Sequence, residues 1–404
     1  MSEKMLWVAN KQLLQSKNIE TVEPLLELFT IEQVKKVEDF HRTYGKFEKT
    51  PLKSLDGLAN YLGVKSIFVK DESYRFGLNA FKVLGGVYAV GKYVAKLLGK
   101  SIQELSFEEL KLPEVKNQLG DLTFISTTDG NHGRGVAWAA KELGFKARIY
   151  MPAGSATERL QNIQNEEAYA EITHMNYDDT VRYTSQLAEE NGWVIVQDTM
   201  WEGYEEIPLW IMQGYTTLMK EVVDQLEDAP THVFLQAGVG SFASAMVAFL
   251  QQYYKENITF VLVEPHVANC YYESFKQGTE QAVNVGGSMH TIMAGLACGE
   301  PSPIAWEILK TYTHVSISCA EEVAATGMRV LGNPLGRDAR IIAGESGAAP
   351  AGCFYTIMTD AKMQTLKETL QLNPTSRVLL INTEGDTDAE NYREILWHGA
   401  YPTT

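Results

Sequence analysis

Short runs of β-branched and aromatic residues alternate with segments of helical periodicity along most of this 404-residue chain. Such alternation indicates parallel β-sheets covered by helices, because a helix returns the chain to the start of the next parallel strand. The predicted strands are an early one, 66–69, a first series, 123–125, 147–150, 171–173 and 194–196, and a second series, 232–235, 260–263, 314–317 and 378–381. Helices are predicted within the first series at 135–143, 157–164 and 180–190.

The length of the chain bears on how many domains it forms. A chain of 404 residues exceeds what one hydrophobic core usually organises, so two lobes are expected. The first strand series spans about 110 residues, the size of a small domain. We therefore expect an α/β protein whose two lobes each hold a mostly parallel, twisted sheet flanked by helices. The small domain, 89–205, is inserted into a large domain formed by 1–88 and 206–404.

The formal charge of −16 argues against a nucleic-acid partner, because phosphate backbones are bound by basic surfaces. No apolar run approaches the roughly 20 residues that span a bilayer, and the first residues lack the apolar core of a signal peptide. The cysteines and histidines show no metal-ligand spacing, so we expect no metal site and a reducing, cytoplasmic location. A disulfide between Cys270 and Cys298 stays an open alternative.

The segment 70–82 runs from the end of a predicted strand through a polar loop to a helix predicted to begin near Ala80. Lys82 is thus expected in a first helical turn at the carboxyl edge of a sheet, where α/β proteins usually bind ligands. The positive end of the helix dipole disfavours a cation there, which suits a lysine that forms a Schiff base. The plainer interpretation is a solvated lysine.

The segment 127–135 also lies between a strand and a helix and is dense in glycine and asparagine. Backbone N–H groups near a helix start can converge on an anion such as a substrate carboxylate. Thr128, Asp129 and Gly130 are therefore candidate substrate-binding residues. The alternative is a plain helix cap formed by Asp129 or Asn131.

The segment 236–242 carries Gly238, Val239, Gly240 and Ser241 between a predicted strand and a helix predicted at 243–250. Glycines let a backbone approach a phosphate closely, and the helix start supplies N–H donors. The segment lacks the third glycine of a dinucleotide fingerprint and the lysine of a nucleoside-triphosphate loop, so a single phosphate is the better interpretation.

The segment 382–388 follows the last predicted strand. The hydroxyl of Thr383 is a candidate ligand contact at the sheet edge, and the alternative is a turn rich in Asx-type residues.

A reactive lysine, an anion loop, a phosphate loop and a late hydroxyl, in this order, resemble the tryptophan-synthase β-family of pyridoxal-phosphate enzymes, from about residue 50 onward. More narrowly, several long segments look like those of the diaminopropionate ammonia-lyases: 71–73, 75–82, 127–135, 295–300 and 383–388. The resemblance implies fold type II, pyridoxal 5′-phosphate as the cofactor and a homodimer.

The resemblance also implies a role for each segment. Lys82 would hold the cofactor covalently, Asn131 would hydrogen-bond its O3′ oxygen, and Thr383 would face an unprotonated pyridine nitrogen. Gly238, Val239, Gly240 and Ser241 would bind the phosphate.

The implied reaction is α,β-elimination of 2,3-diaminopropionate, with Lys82 as the general base toward Cα. Asp129 stands where related dehydratases have a serine, so it is expected to bind the β-ammonium and to act as the second base for the D-isomer. Asp198, at a predicted strand end, is a further candidate to bind the β-amine of the substrate. The alternative is that Asp198 only caps a helix or a turn.

Two departures from the resemblance concern loops. Related dehydratases often carry a run of glycines at the phosphate, so some phosphate donors are expected from elsewhere in this chain. Where the family commonly has Leu-Gly-Ala-Glu, this chain has Asn165-Glu166-Glu167-Ala168, which puts that loop of the small lobe in question.

Rival functions remain at this stage. A nicotinamide dehydrogenase would need a three-glycine fingerprint that the chain lacks. A serine or threonine dehydratase, a β-replacement enzyme such as cysteine synthase, and a cofactor-binding protein without catalysis are closer alternatives.

Overall fold

The computed structural model describes residues 3–11, 19–128, 130–255 and 257–402, in which strands and helices alternate. The strands are β1 Met5–Ala9, β2 Leu52–Ser54, β3 Ser66–Asp71, β4 Thr123–Thr127, β5 Lys146–Met151, β6 Tyr169–Ile172, β7 Val194–Ile195, β8 His232–Gln236, β9 Thr259–Pro265, β10 Thr313–Cys319 and β11 Arg377–Asn382. The helices are α1 Ile19–Leu26, α2 Ile31–Arg42, α3 Asp56–Leu62, α4 Val83–Leu97, α5 Phe107–Leu110, α6 Pro113–Leu119, α7 Asn131–Glu142, α8 Thr157–Gln164, α9 Tyr177–Asn191, α10 Glu206–Gln225, α11 Ser241–Tyr254, α12 Cys270–Gln277, α13 Pro303–Tyr312, α14 Glu321–Gly332, α15 Glu345–Thr359, α16 Gln364–Thr369 and α17 Ala389–Leu396.

The larger sheet has seven strands among the described residues, in the order β1-β10-β9-β8-β11-β3-β2. Its five inner strands are parallel to their neighbours, whereas β1 and β2 pair antiparallel at the two edges. The parallel interior confirms the α/β prediction. The sequence pattern did not indicate the edge strands, because β2 has only three residues and β1 stands apart from both strand series.

The inner strands of this sheet are buried on both faces, which explains their continuous hydrophobic runs. Along β8, Val233 and Leu235 enter one core cluster, whereas Phe234 points into the cluster on the opposite face. Successive strand residues face opposite sides, so one strand contributes to both cores. The same alternation recurs in β11, where Leu379 and Ile381 oppose Val378 and Leu380.

The smaller sheet has four parallel strands in the order β6-β5-β4-β7, all within the predicted small domain. Helices α4 and α7 pack closely beside it. The reason is a pair of glycines: a Cβ on Gly135 would lie 2.8 Å from the Cα of Val83, and one on Gly86 would lie 3.0 Å from the carbonyl carbon of Gly135. The predicted boundary at residue 88 falls inside α4, and residue 206 is the first residue of α10.

The structure corrects the predicted position of Lys82 relative to its helix. Helix α4 begins at Val83, so Lys82 is the cap residue rather than part of the first turn. Asn79 has φ +61°, and Ala80 forms an isolated β-bridge with Glu384. The left-handed Asn79 interrupts helical backbone, and the bridge pairs Ala80 with the segment after β11, so the helix begins three residues later than predicted.

The loop at 165–168 has a left-handed residue one position after the one where the family has glycine. Glu167 has φ +61°, a conformation that favours glycine. Its carboxylate pairs with Lys141 at 3.2 Å, and the neighbouring Glu166 pairs with Arg134 at 3.1 Å. Two ion pairs therefore connect this left-handed turn to α7.

All four cysteines are buried and none forms a disulfide, and the thiol of Cys270 lies 3.9 Å from the backbone oxygen of Cys298. Within the ranges that the structure describes, no helix is long and apolar enough to cross a membrane.

A fully buried cluster of charges fixes the segment between β3 and α4. Lys70 lies 2.6 Å from the carboxylate of Glu221 on α10, and Arg75 bonds both Glu221, at 2.7 Å, and Glu72, at 2.8 Å. Burial alone would raise the pKa of Glu221, but Arg75 and Lys70 lower it to about 2. Two cations and two carboxylates thus compensate one another out of contact with water.

We predict that Glu221→Gln destabilises the protein by about 3–5 kcal/mol, because it leaves a buried cation without its charge partner. The matched control is Glu206→Gln, on the same helix, whose 2.6 Å ion pair with Lys96 is more than half exposed. That change is expected to cost no more than about 1 kcal/mol. Urea denaturation of both variants measures the difference, and equal losses would contradict the prediction.

Candidate active site

Three neighbouring strands of the larger sheet, β8, β11 and β3, run parallel, so their carboxyl ends meet at one edge. The predicted lysine, phosphate and hydroxyl segments follow these three strands, and the segment of Asn131 follows β4 of the smaller sheet. They line one cleft, as expected for ligand sites in α/β proteins. Its lining includes Phe81, Lys82, Asn131, Asp198, Tyr215, Gln236, Gly238, Val239, Gly240, Ser241, Phe242, Gly295, Leu296, Cys298, Ser346, Thr383 and Glu384.

Lys82 and Asp198 form an ion pair within the cleft. The Nζ atom of Lys82 lies 3.1 Å from Oδ2 of Asp198, and the Asp198 side chain is only 3% exposed. Burial alone would raise the pKa of Asp198, but Lys82 and His132 lower it to about 2. Tyr177 holds the other carboxylate oxygen through its hydroxyl at 3.3 Å. Asp198 is therefore an ionised, oriented carboxylate at neutral pH.

The segment Gly238–Ser241 lies at the start of α11, a helix of 14 residues. Gly240 has φ +91°, which favours glycine, and a Cβ on Gly238 would lie 3.2 Å from the backbone oxygen of Gly295. The hydroxyl of Ser241 donates to the backbone oxygen of Asp198 at 2.7 Å. The first N–H groups of a helix lack intrahelical acceptors, so this bare backbone at the cleft fits a phosphate group.

The hydroxyl of Thr383 is oriented by Gln236, a residue that the sequence interpretation missed. The side-chain Nε2 of Gln236 donates to Oγ1 of Thr383 at 2.9 Å and to the backbone oxygen of Ile381 at 3.1 Å. Because Thr383 accepts from Gln236, its own hydroxyl proton is directed elsewhere and can be donated to a ligand. The signal for Gln236 was its place at the end of β8, two residues before Gly238.

Asn131 is held by Glu384, which sequence reasoning also missed although it follows Thr383 directly. The Nδ2 of Asn131 donates to Oε2 of Glu384, and Thr387 donates to the same oxygen at 3.2 Å. A carboxylate only accepts hydrogen bonds, so the NH2 group of the Asn131 amide must face Glu384, with the amide oxygen on the other side. Glu384 is fully buried, and Arg159 lies 3.8 Å away as its counter-charge.

The remaining predicted substrate residues belong to the loop before α7. The hydroxyl of Thr128 is buried and accepts from the N–H groups of Gly130, at 2.9 Å, and Gly133, at 3.0 Å. The Thr128 side chain therefore shapes the loop. Gly130 has φ +149°, and a Cβ at this position would lie 3.0 Å from the Cδ atom of Arg159. Asp129 lies outside the described residues.

Comparison with known proteins gives the family. The family model described as pyridoxal-phosphate dependent enzyme matches residues 45–384. The chain is 53% identical over 379 residues to the diaminopropionate ammonia-lyase of Escherichia coli strain K12, covering 93% of this chain and 94% of that protein. For the same enzyme of Salmonella typhimurium strain LT2, the identity is 50% over 366 residues, covering 89% and 91%.

A crystal structure of the Escherichia coli diaminopropionate ammonia-lyase with an aminoacrylate–pyridoxal-phosphate azomethine intermediate is similar throughout. Its TM-score is 0.89 at 48% identity, covering 99% of this chain and 98% of that one. These similarities confirm the predicted fold class and cofactor. The chain belongs to the diaminopropionate ammonia-lyases, within the fold type II family of pyridoxal-phosphate dependent enzymes.

Proposed function

We propose that this chain catalyses the pyridoxal-phosphate-dependent α,β-elimination of 2,3-diaminopropionate, as either the D- or the L-isomer, to pyruvate and ammonia. The observation that carries the proposal is the buried, ionised carboxylate of Asp198, 3.1 Å from the amine of Lys82 in the cleft. A substrate with a second ammonium group supplies a charge partner for that carboxylate. The identity to enzymes named for this activity supports the same conclusion.

The proposed cofactor contacts follow from the lining of the cleft. Lys82 would hold pyridoxal phosphate covalently, Asn131 would hydrogen-bond its O3′ oxygen, and the segment Gly238–Ser241 would bind its phosphate. Thr383 would donate its hydroxyl proton to the pyridine nitrogen, since Gln236 already donates to its oxygen at 2.9 Å. A ring nitrogen that accepts this bond is unprotonated.

When bound, pyridoxal phosphate delocalises the electron pair that remains on the substrate Cα after its proton is removed. Lys82, released from the cofactor by the substrate amine, takes that proton from the L-isomer as general base. Asp198 holds the β-ammonium, which leaves as ammonia when its bond to Cβ breaks. Water then converts the three-carbon product into pyruvate and a second ammonia, so one substrate and one water balance one pyruvate and two ammonia.

Asp129 is proposed as the base that takes the Cα proton from the D-isomer and as a second contact of the β-ammonium. The neighbouring Thr128 and Gly130 would shape the loop that receives the substrate carboxylate, because their hydrogen bond at 2.9 Å fixes its turn. A crystal structure of the Escherichia coli enzyme contains D-serine, which supports access for D-amino acids.

Two rival reactions use the same cofactor: dehydration of serine or threonine, and β-replacement as in cysteine synthase. Both act on substrates whose β-substituent carries no positive charge. A carboxylate that is buried and ionised beside such a neutral group would lack compensation, which disfavours these substrates.

Turnover of each pure diaminopropionate isomer tests the proposal. We expect one pyruvate and two ammonia per substrate, and loss of turnover in Lys82→Ala. Borohydride reduction of the holoenzyme should label Lys82, with buried Lys70 as the internal reference lysine that stays unlabelled. Faster release of pyruvate from serine than from either isomer, or a label on another lysine, would contradict the assignment.

Asp129→Asn should separate the two isomers, because it removes a base while keeping the shape of the side chain. A positioned general base contributes typically about 10²–10⁴-fold, so turnover of the D-isomer should fall at least about 10²-fold. The L-isomer should lose less, because Lys82 remains its base. Steady-state kinetics on each isomer measure this, and equal losses would mean that Asp129 only binds substrate.

We also propose a cytoplasmic homodimer. Four buried cysteines outside disulfides suit a reducing compartment, and family resemblance supports the dimer. Light scattering of the purified protein should give about twice the mass of one chain, and a monomeric mass would contradict the dimer.

A further inference from the structure

We propose that the hydroxyl of Tyr271 positions the cofactor's phosphate loop, by fixing the Val239 carbonyl and thereby directing the N–H of Gly240 into the cleft. Tyr271 is a positioning residue in this proposal, because it acts through the loop and not on the substrate. The inference rests on the proposed binding of the phosphate at Gly238–Ser241 and is independent of which amino acid the enzyme consumes.

The Val239 carbonyl is held by two donors. The Tyr271 hydroxyl donates to it at 2.8 Å, and the backbone N–H of Ser302, immediately before α13, donates to it at 2.9 Å. A carbonyl oxygen has two lone pairs, and both are occupied here. The peptide group between Val239 and Gly240 therefore has a fixed orientation.

The direction of that peptide group follows from planarity. The peptide is trans, so the N–H of Gly240 points away from the side to which the Val239 oxygen points. Among the described residues, the lining of the cleft includes Val239 and Gly240 but neither Tyr271 nor Ser302. The carbonyl thus faces away from the cleft, and the Gly240 N–H faces toward it.

Tyr271 is itself rigidly placed. Its ring is fully buried, and the carboxylate of Glu264 accepts the backbone N–H of Tyr271 at 2.9 Å and that of Tyr272 at 2.7 Å. Burial, together with nearby Cys270 and Glu264, raises the pKa of Tyr271 well above its ordinary value. The hydroxyl consequently keeps its proton, and it remains a donor throughout the working pH range.

Gly240 and Tyr271 also fit one another sterically. A Cβ on Gly240 would collide with the Tyr271 hydroxyl oxygen, so the close approach of the ring requires glycine at this position. The loop has fewer glycines than related dehydratases often carry. Tyr271 of α12 fixes the peptide group between Val239 and Gly240 from outside the cleft, and so holds this loop in the conformation that would bind the phosphate.

The test compares Tyr271→Phe with Tyr272→Phe, which makes the same change at the next residue of α12. Apoprotein of each variant is titrated with pyridoxal 5′-phosphate and with pyridoxal, which lacks the phosphate, and the dissociation constants are measured by absorbance. One net hydrogen bond corresponds to about a threefold to tenfold change in affinity. We expect a loss of that size for pyridoxal phosphate only, and only in Tyr271→Phe.

A purely structural role for Tyr271 predicts a different pattern. Equal weakening of pyridoxal and pyridoxal phosphate, or no weakening of either, would overturn the inference. If apoprotein of Tyr271→Phe does not stay folded, the phosphorus-31 resonance of the holoenzyme replaces the titration. A resonance shifted relative to Tyr272→Phe supports the role, and an unshifted one overturns it.

Gly238→Asp separates this inference from the proposed phosphate site, because a Cβ at Gly238 would lie near Gly295 and Leu296 and would not meet Tyr271. A carboxylate at that position should abolish binding of pyridoxal phosphate with the fold retained by circular dichroism. Full cofactor occupancy in this variant would show that the phosphate lies elsewhere, which defeats the site assignment as well. Loss of binding in Gly238→Asp together with unchanged affinity in Tyr271→Phe defeats only the role of Tyr271.

Discussion

The parallel hydrogen-bonded ladder through β8, β11 and β3 is the constraint on which the rest of the site depends. Parallel strands end at a common edge, and Asn382 at the end of β11 is aligned with Asp71 at the end of β3. Segments more than 100 residues apart in sequence are thereby brought to one cleft. The sheet achieves this only because both faces are buried, which requires the covering helices to supply apolar side chains on either side.

The lysine segment is held from two directions that have different physical origins. The buried cluster around Arg75 fixes its start through compensated charges, while the bond from the Phe81 N–H to the Thr383 oxygen, at 3.1 Å, fixes its end through backbone pairing. Between them, Phe76 and Asn79 adopt left-handed conformations, which are unfavourable for a bulky residue such as Phe76 and better tolerated by asparagine. The surrounding contacts thus impose a backbone path that local preference would not select, and Lys82 lies at the end of that path.

The sequence predicted the parts of the site that follow directly from strand ends. Lys82, Thr383 and the Gly238–Ser241 segment line the cleft as the sequence predicted, because each follows a hydrophobic run, and that rule requires no knowledge of distant contacts. Gln236, Glu384 and Tyr271 were missed because their contacts at the site come from pairings across the fold, such as the one from Gln236 to Thr383 over 147 positions. The late start of α4 was missed for the same reason, since its cause is the end of β11.

The ion pair of Lys82 and Asp198, at 3.1 Å, gives the proposed substrate specificity an electrostatic basis. In the proposed mechanism Lys82 gives up its ammonium charge when it holds the cofactor covalently, and the pKa of Asp198, which Lys82 lowers, then rises because burial favours the neutral acid. A buried carboxylate that loses a cation is strongly destabilised, so the cleft then favours a ligand that restores the positive charge. Diaminopropionate brings an ammonium on Cβ, whereas serine brings a neutral hydroxyl. In this proposal, binding the cofactor prepares the cleft for an ammonium-bearing substrate, because the same carboxylate would pair first with the lysine and then with the leaving group.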